Sequence, residues 1–451
     1  MKVLLATALA RIAELEAQLK LDSTTSGKPP SSDGLKKKPA FPRLKGGRRG
    51  GKPGHPGNTL KLADQVDYER LHEPEEKSCG CGHSLVDIQI RSSKERRQIF
   101  DLPSRLLEVT EHRIGVKRCP GCGKTHRGEF PAEVNAPTQY GKRVRALISL
   151  LNVEQSLPVG RVGELFTSLT GYALNQNTIV GAVNRMADDL APDTELIKQN
   201  ILSSLTADAD ETGGRIAGKL HWVHNLVTDL FTYFFVHEKR GKQALDSAQS
   251  ITDEFSGTLI HDCWPSYFNL DCRDHGLCGA HLLRELKHLS DNHQRKWASD
   301  MHNLLMYAYH FSQNGTGVLS DAKLKVVRGQ YARILAKADA EEPPPIINKK
   351  GKPKKTKGRN LLCRLAQYEA YVLNFAVAEH IPFTNNLAER DIRPWKTKLK
   401  VSGCFRTLDG AKNYAVVKGF CSTVKKHGLS VYDQLLAAID GQSFLKTQVL
   451  T

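Results

Sequence analysis

Three strand-like runs with only tight turns between them crowd into the stretch from Leu205 to Val236, and they constrain the fold more than any other feature of the chain. The runs are Leu205-Thr206-Ala207-Asp208-Ala209-Asp210, then Lys219 to Leu226, then Phe231-Thr232-Tyr233-Phe234-Phe235-Val236, and the turns that join them carry Gly or Asp. Strands this close in sequence pair as an antiparallel meander, because a turn of a few residues can only reverse the chain. A helical stretch is expected from Lys242 to Ile251. A buried strand, Thr258-Leu259-Ile260-His261, then delivers Asp262 at its end, and in a β-β-β-α-β order that strand lies beside the first.

This placement gives the acidic residues a meaning. Side chains repeat every second residue along a strand, so Asp208 and Asp210 share a face and Glu211 points away. Either aspartate can act with Asp262. Carboxylates at the ends of adjacent strands repel unless a cation lies between them, and oxygen ligands of that charge suit Mg2+ or Mn2+. A third carboxylate comes from Pro382-Phe383-Thr384-Asn385-Asn386-Leu387-Ala388-Glu389-Arg390-Asp391, which predicts a helix capped by Asn386 with Glu389 in the third place of a capping box. Asn386, Glu389, Arg390 and Arg393 fall on one side of that helix, Asp391 turns away, and Lys396 follows two turns on unless Pro394 ends the helix first. A metal ligand among cations suits a phosphate-bearing substrate. The constellation reads as the two-metal site of a DNA-cutting, ribonuclease-H-like domain that transfers phosphoryl groups without a side-chain nucleophile. His281, Arg284, Glu285 and His288 form one helical stripe after Cys278, which serves either as a salt-bridged face or as support for the site and its DNA.

Charge points to the same substrate. Over 451 residues, 65 Lys and Arg stand against 48 Asp and Glu, and the resulting +17 makes a polyanion the expected partner. Lys36, Lys37, Lys38, Arg48 and Arg49 lie in a Ser-, Pro- and Gly-rich stretch from Ser23 to Gly57 that cannot bury a core and reads as a basic linker gripping phosphates. No apolar run reaches the roughly 18 residues that span a bilayer. Met1 to Ala10 imitates a short signal peptide, but Arg11, Glu14 and Glu16 continue at helical spacing, so one amphipathic helix explains the segment more simply. Leu5, Ala8, Ile12, Leu15 and Leu19 form a short a/d seam on it, which either pairs two copies of the chain or docks on the rest of the protein.

Four of the ten cysteines form two close pairs, in Cys79-Gly80-Cys81-Gly82-His83 and Cys119-Pro120-Gly121-Cys122-Gly123, and the span between them holds alternating segments such as Glu108 to Ile114. Thiolates paired on tight turns can converge on one zinc ion and supply folding energy to a module too small to stand alone. The first knuckle is C-x-C rather than C-x2-C, so His83 or His126 stands as an alternative ligand. The other six cysteines are scattered, as expected of reduced thiols in a cytosol. From Arg143 to Leu151, Val159 to Leu169 and Thr178 to Leu190 the pattern is helical, with Asn175 opening the third segment, and this three-helix unit reads either as a helix-turn-helix DNA reader or as ordinary helical packing between domains.

Together these motifs resemble the DDE-type transposases of insertion-sequence family 66. The resemblance is carried by Asp210-Glu211-Thr212, His261-Asp262, Cys278-Gly279-Ala280-His281-Leu282, Asn385-Asn386-Leu387-Ala388-Glu389-Arg390 with Arg393-Pro394, Lys28-Pro29-Pro30-Ser31-Ser32-Asp33, and Ser402-Gly403-Cys404-Phe405-Arg406-Thr407. It implies a multidomain α+β chain: a zipper-like helix over 1–22, a basic linker over 23–60, a zinc-binding module over 61–130 with Cys79, Cys81, Cys119 and Cys122 as ligands, a helical DNA-binding region over 131–200, a ribonuclease-H-like catalytic domain over 201–400, and a C-terminal helical element over 401–451. The catalytic triad becomes Asp210, Asp262 and Glu389, holding Mg2+ or Mn2+, and Asp208 becomes a bystander. Between the second and third carboxylates the resemblance places a helical insertion over about 285–375 with a basic loop from Lys349 to Arg359. Arg390, Arg393 and Lys396 are expected to contact DNA. The expected partners are double-stranded DNA at element ends and target, a second copy of the chain or more, and accessory proteins of the same element, in a cytoplasmic, nucleoid-associated setting. Two rival readings are a nuclease of the same fold without strand transfer and a non-catalytic DNA-binding regulator.

Overall fold

The computed structural model describes residues 60–72, 75–89, 96–313, 317–345 and 355–448. The zipper-like seam, the linker cations Lys36, Lys37, Lys38, Arg48 and Arg49, and most of the basic loop before Lys355 lie outside the described residues. The chain divides into two units, one spanning Pro39–Glu111 and the other including everything from His112 onward.

The smaller unit has no helix and no buried side chain among its described residues, and Leu60, Tyr68, Val86, Ile99 and Phe100 are all exposed. Its order comes from polar ties. The Gln98 side chain bonds both backbone groups of Ala63, and a Ser78–Ser84 bridge closes the turn that carries Cys79 and Cys81.

The larger unit is mixed α/β. It opens with a hairpin, β1 (Val116–Arg118) against β2 (Thr125–Arg127), whose turn holds Cys119 and Cys122. The alternating segment Glu108 to Ile114 forms no strand. Four helices follow: α1 (Lys142–Ser149), running on as a π-turn to Glu154, α2 (Val159–Thr170), α3 (Gln176–Asp189) and α4 (Ala191–Leu202). Asn175 caps α3 by accepting the Thr178 N–H at 2.8 Å, and Gly171, at φ 78°, ends α2 in the left-handed region.

The central sheet contains β3 (Thr206–Ile216), β4 (Lys219–Val227), β5 (Thr232–His237), β6 (Thr258–His261) and β7 (Asp274–Leu277), in the order β5-β4-β3-β6-β7. The first three strands form the expected antiparallel meander, and β6 returns parallel to β3. β7, parallel to β6, is an addition that Asp274-His275-Gly276-Leu277 does not advertise. The helix expected from Lys242 to Ile251 shortens to α5 (Lys242–Leu245). Ser247 turns its hydroxyl onto the Ala244 carbonyl at 2.6 Å and Ser250 bonds Thr252, so local side chains take over from the helical ladder.

The stretch between Asp262 and Glu389 is helical: α6 (Gly279–His293), α7 (Lys296–Gln313), α8 (Asp321–Glu341), α9 (Lys357–Gln367) and α10 (Glu369–Leu373). Their apolar faces, with Leu286, Trp297, Met301, Tyr331 and Leu365, share one core with Ile260 and Leu277 of the sheet edge. Thr356 caps α9, so Arg359 sits on a helix and pairs with Asp339 instead of lying in a loop. The chain then returns across the sheet as α11 (Asn386–Ser402) and α12 (Leu408–Lys426), with α13 (Val431–Ile439) and α14 (Phe444–Gln448) closing the helical side. Pro394 does not end α11. Its cost inside a helix, about 3 kcal/mol, is offset by burying Ile392 and Trp395, each worth roughly 2–3 kcal/mol.

Candidate active site

In the parallel β3–β6 pair Asp208 is level with Ile260; Asp210 on β3 and Asp262, one residue past the end of β6, each follow two residues further along. Two asparagines then set the third carboxylate. Asn225 on β4 accepts the Asp210 N–H at 2.9 Å and donates to the Ala388 carbonyl at 3.0 Å, while Asn385 donates to the Ala209 carbonyl at 2.7 Å. The start of α11 is thereby tied across the strand that carries Asp210. Asn385, not Asn386, is the N-cap residue, so Glu389 falls one place past the third position and no capping box forms; the Asn385 side chain bonds the sheet and makes no cap bond. Glu389 accordingly lies in the first turn of α11, free for other work.

A second close approach brings α6 to the same place. A Cβ on Gly279 would lie 2.3 Å from the Phe383 ring, so only glycine lets the Gly279 N–H reach the Phe383 carbonyl at 2.8 Å and the Asn385 N–H reach the Cys278 sulfur at 3.2 Å. His281 and Arg284 then stand over Glu389, with His281 Nδ1 at 3.6 Å and an Arg284 nitrogen at 3.5 Å from Oε1. Arg393 approaches Oε2 at 3.8 Å. Glu389 Oε1 and His281 Nδ1 are both cut off from solvent and neither makes a hydrogen bond.

Burial, followed by the charge of Glu211, raises the Asp210 carboxyl to about 8, with Asp262 and Glu389 adding to the effect. Burial and Glu211 likewise raise Asp262 to about 6. Asp210 therefore feels both other members of the expected triad, and among the described residues no ion pair reaches Asp210 or Asp262. The oxygens of the three do not close into one tight cluster. The metal-competent atoms found within 4.8 Å of one another belong to Cys278, His281 and Glu389.

Alternation puts Glu211 on the opposite face from Asp210, as expected, but its carboxylate still matters to the site. Arg240 grips Oε1 with two nitrogens, at 2.7 and 2.6 Å, and the Tyr267 hydroxyl donates to Oε2. The guanidinium lies 3.6 Å from the Trp264 ring centroid and 4.9 Å from that of Trp222, and the backbone N–H of Trp264 in turn donates to Asp262 Oδ1 at 2.9 Å. Arg240, Tyr267, Trp264 and Asn225 escaped the sequence reading because each joins the site from a distant element with no local period to mark it.

Asp208 faces the same side as Asp210 yet meets different company. Its carboxyl is raised to about 8 by burial and by Asp229, against Lys426, and its neighbour Asp391 is bonded by Lys426 at 2.7 Å and by the Thr232 hydroxyl at 2.6 Å. Of the expected DNA contacts, Arg390, Arg393 and Lys396 are exposed along α11. The stripe after Cys278 splits: His281 and Arg284 join Glu389, Glu285 pairs with Arg364, and His288 bonds Asn292. In the knuckles, the His83 and Cys79 hydrogen bonds lower the Cys81 thiol, and those of Cys122 and Gly121 lower Cys119, so both turns favour thiolates. His83 and His126 are exposed.

Residues 137–413, more than half of the chain, match the family model described as Transposase IS66 family. The class of protein is therefore a transposase, an enzyme that processes and binds DNA. The chain belongs to the IS66 family of transposases, and membership suggests use of a divalent metal. Residues 1–61 match a second model, a family of unknown function, DUF6444. No curated protein matches the chain. No described helix is long and apolar enough to cross a membrane.

Proposed function

We propose that the chain cuts DNA at the ends of its element and joins the freed 3′-hydroxyls to target DNA, with Asp210, Asp262 and Glu389 holding two Mg2+ or Mn2+ ions in a ribonuclease-H-like domain. The observation that supports this reading is the pair Asp210, on β3, and Asp262, one residue past the parallel β6: two carboxyls that burial and Glu211 raise, with no direct ion pair to either among the described residues. Their oxygen donors fit a hard divalent ion. When bound, such ions activate water or a 3′-hydroxyl and stabilise the leaving oxygen at phosphorus.

The chain's own residues do the rest. Arg240 and Tyr267 fix Glu211, and through Trp264 the same cluster orients Asp262. Arg393 and Lys396 offer exposed cations beside Glu389 for the phosphate backbone, and Arg390 extends that row. The helical unit of α1 to α4 is assigned to reading end sequences, with α3 as its recognition helix. Linker cations Lys36, Lys37, Lys38, Arg48 and Arg49 are assigned sequence-independent grip. The thiols of Cys79, Cys81, Cys119 and Cys122 are assigned to structural zinc. Turns that favour thiolates support this, as does the lack of any buried side chain among the described residues of the smaller unit.

Incubating the full chain with flanking element DNA and Mg2+, and separately with pre-cut ends and a target plasmid, tests the proposal. Joined products from pre-cut ends are expected. Cleavage without joining reduces the assignment to a nuclease, and binding without either reduces it to a regulator.

A further inference from the structure

The proposed chemistry uses Glu389 and leaves unused the two groups beside it. Cys278, 1% exposed, immediately precedes α6, and His281 follows at the next turn of the chain. The Cys278 sulfur, a His281 ring nitrogen and a Glu389 oxygen lie within 4.8 Å of one another, and they come from two helices pressed together at Gly279 and Phe383. His281 Nδ1 and Glu389 Oε1 are the telling pair. They stand 3.6 Å apart, too far to bond each other, and each is shut off from solvent without any hydrogen-bond partner. Orphaned buried donors and acceptors are rare and call for an explanation.

A cation between them is one that satisfies all three groups. The donor set of one sulfur, one nitrogen and one oxygen is wrong for Mg2+, which takes oxygen, and right for a borderline-soft ion such as Zn2+. Ligands of a tetrahedral zinc at about 2.0–2.3 Å stand roughly 3.3–3.8 Å apart, so the three side chains need close in by only about 1 Å. A thiolate and a carboxylate balance the charge of the ion. Arg284, now 3.5 Å from Glu389 and partly exposed, would swing outward to solvent.

We propose that Cys278, His281 and Glu389 form a binding site for Zn2+ or a similar borderline-soft ion, distinct from the oxygen-only site and sharing Glu389 with it. An occupied site pulls the Glu389 carboxylate toward α6, so this ion and Mg2+ compete for one ligand and zinc restrains DNA cutting. The binding half stands on the cluster alone; the restraint rests on Glu389 serving the proposed chemistry.

Cobalt(II), added to the full-length protein in place of zinc, reports the site by its thiolate-to-metal charge-transfer absorption. The difference between wild type and Cys278→Ser isolates this sulfur from the four paired cysteines. Loss of one thiolate's worth of absorption is expected in Cys278→Ser. His281→Ala, which keeps the thiol, is expected to weaken cobalt binding at least about tenfold. Identical spectra for wild type and Cys278→Ser, or unchanged affinity in His281→Ala, would overturn the site. Asp210→Asn should abolish cutting and keep the absorption; a wild-type protein that binds cobalt here but cuts no DNA sinks the catalytic proposal and leaves this one standing. In Mg2+-dependent cutting, zinc inhibition that rising Mg2+ relieves is expected, and inhibition of equal strength in Cys278→Ser would refute the competition.

Discussion

Two acidic clusters sit two residues apart on the same pair of elements, and the protein treats them oppositely. Asp208 and Asp210 are next-but-one neighbours on β3, and Asp391 and Glu389 are next-but-one neighbours on α11. In the first cluster, Lys426 from α12 and the hydroxyls of Thr232 and Ser422 close on Asp391, and Asp208 is buried beside them. In the second, Asp210 and Asp262 receive backbone N–H groups but no direct ion pair among the described residues, and Glu389 is approached by Arg284 and Arg393 only at 3.5 and 3.8 Å, its Oε1 left without a hydrogen bond. Carboxylate density alone therefore does not define a metal site. What separates the clusters is how closely the fold seats its own cation: Lys426 bonds Asp391 directly, whereas among the described residues no cation closes on Asp210 or Asp262 at that range, and a buried negative charge without a close partner is costly.

The sharpest way to break that contrast is to neutralise one carboxylate at a time. Asp210→Asn, Asp262→Asn and Glu389→Gln should each cut the DNA cleavage rate by about a thousandfold or more while DNA binding persists, because metal-supplied stabilisation dominates phosphoryl transfer. Asp208→Asn should keep most of the rate. Gel-based cleavage rates decide it, and an active Asp210→Asn beside an inactive Asp208→Asn would exchange the two roles.

Removing the built-in cation should act on stability instead. Lys426→Met strands the Asp391 charge in a site where both side chains are less than a tenth exposed, and a loss of about 3–5 kcal/mol is expected in urea unfolding. Adding Asp391→Asn should recover much of it. A double variant no more stable than Lys426→Met would show that the pair is not what neutralises the cluster.

The smallest effect concerns pH. Folding raises Asp210 to about 8 and Asp262 to about 6 from an ordinary 3.8, so the metal-free folded state holds protons that the unfolded chain has released. That contribution to stability is complete below the ordinary carboxylate range and is lost as pH climbs through about 6 and then about 8. On the proposed assignment Mg2+ replaces those protons, so the rise in Tm that it produces should grow by a few degrees over the same window. Asp208 is also raised to about 8, but it lies in the self-neutralised cluster, and Asp208→Asn should leave the Mg2+ increment intact. A Tm increment independent of pH, or one abolished by Asp208→Asn, would erase the distinction.

The difference between the clusters was only half legible in the sequence. Alternation along β3 paired Asp208 with Asp210, and the helical period turned Asp391 away from Glu389, both from local geometry. Lys426 leaves no such trace, because its partner lies on another element and the contact exists only after α12 crosses the sheet. The same holds for Arg240 and for the orphaned His281, whose helical stripe read equally well as a salt-bridged face. Where local rules did mislead, a long-range tie had overridden them: Asn385 forgoes its capping bond to hold Ala209, and buried Ile392 and Trp395 carry α11 straight through Pro394.

The asparagine ties across β3 also fix an order of events. The bonds that seat α11 join residues 176 and 163 positions apart, and closing loops of that size must wait until the distant partner exists. A chain growing from a ribosome displays Asp210 and Asp262 long before Glu389 is made, and through that interval it carries two of the three proposed ligands without the helix that aligns the third. On the proposed assignment, cutting power arrives all at once and late in synthesis, so an unfinished copy is harmless to the DNA around it.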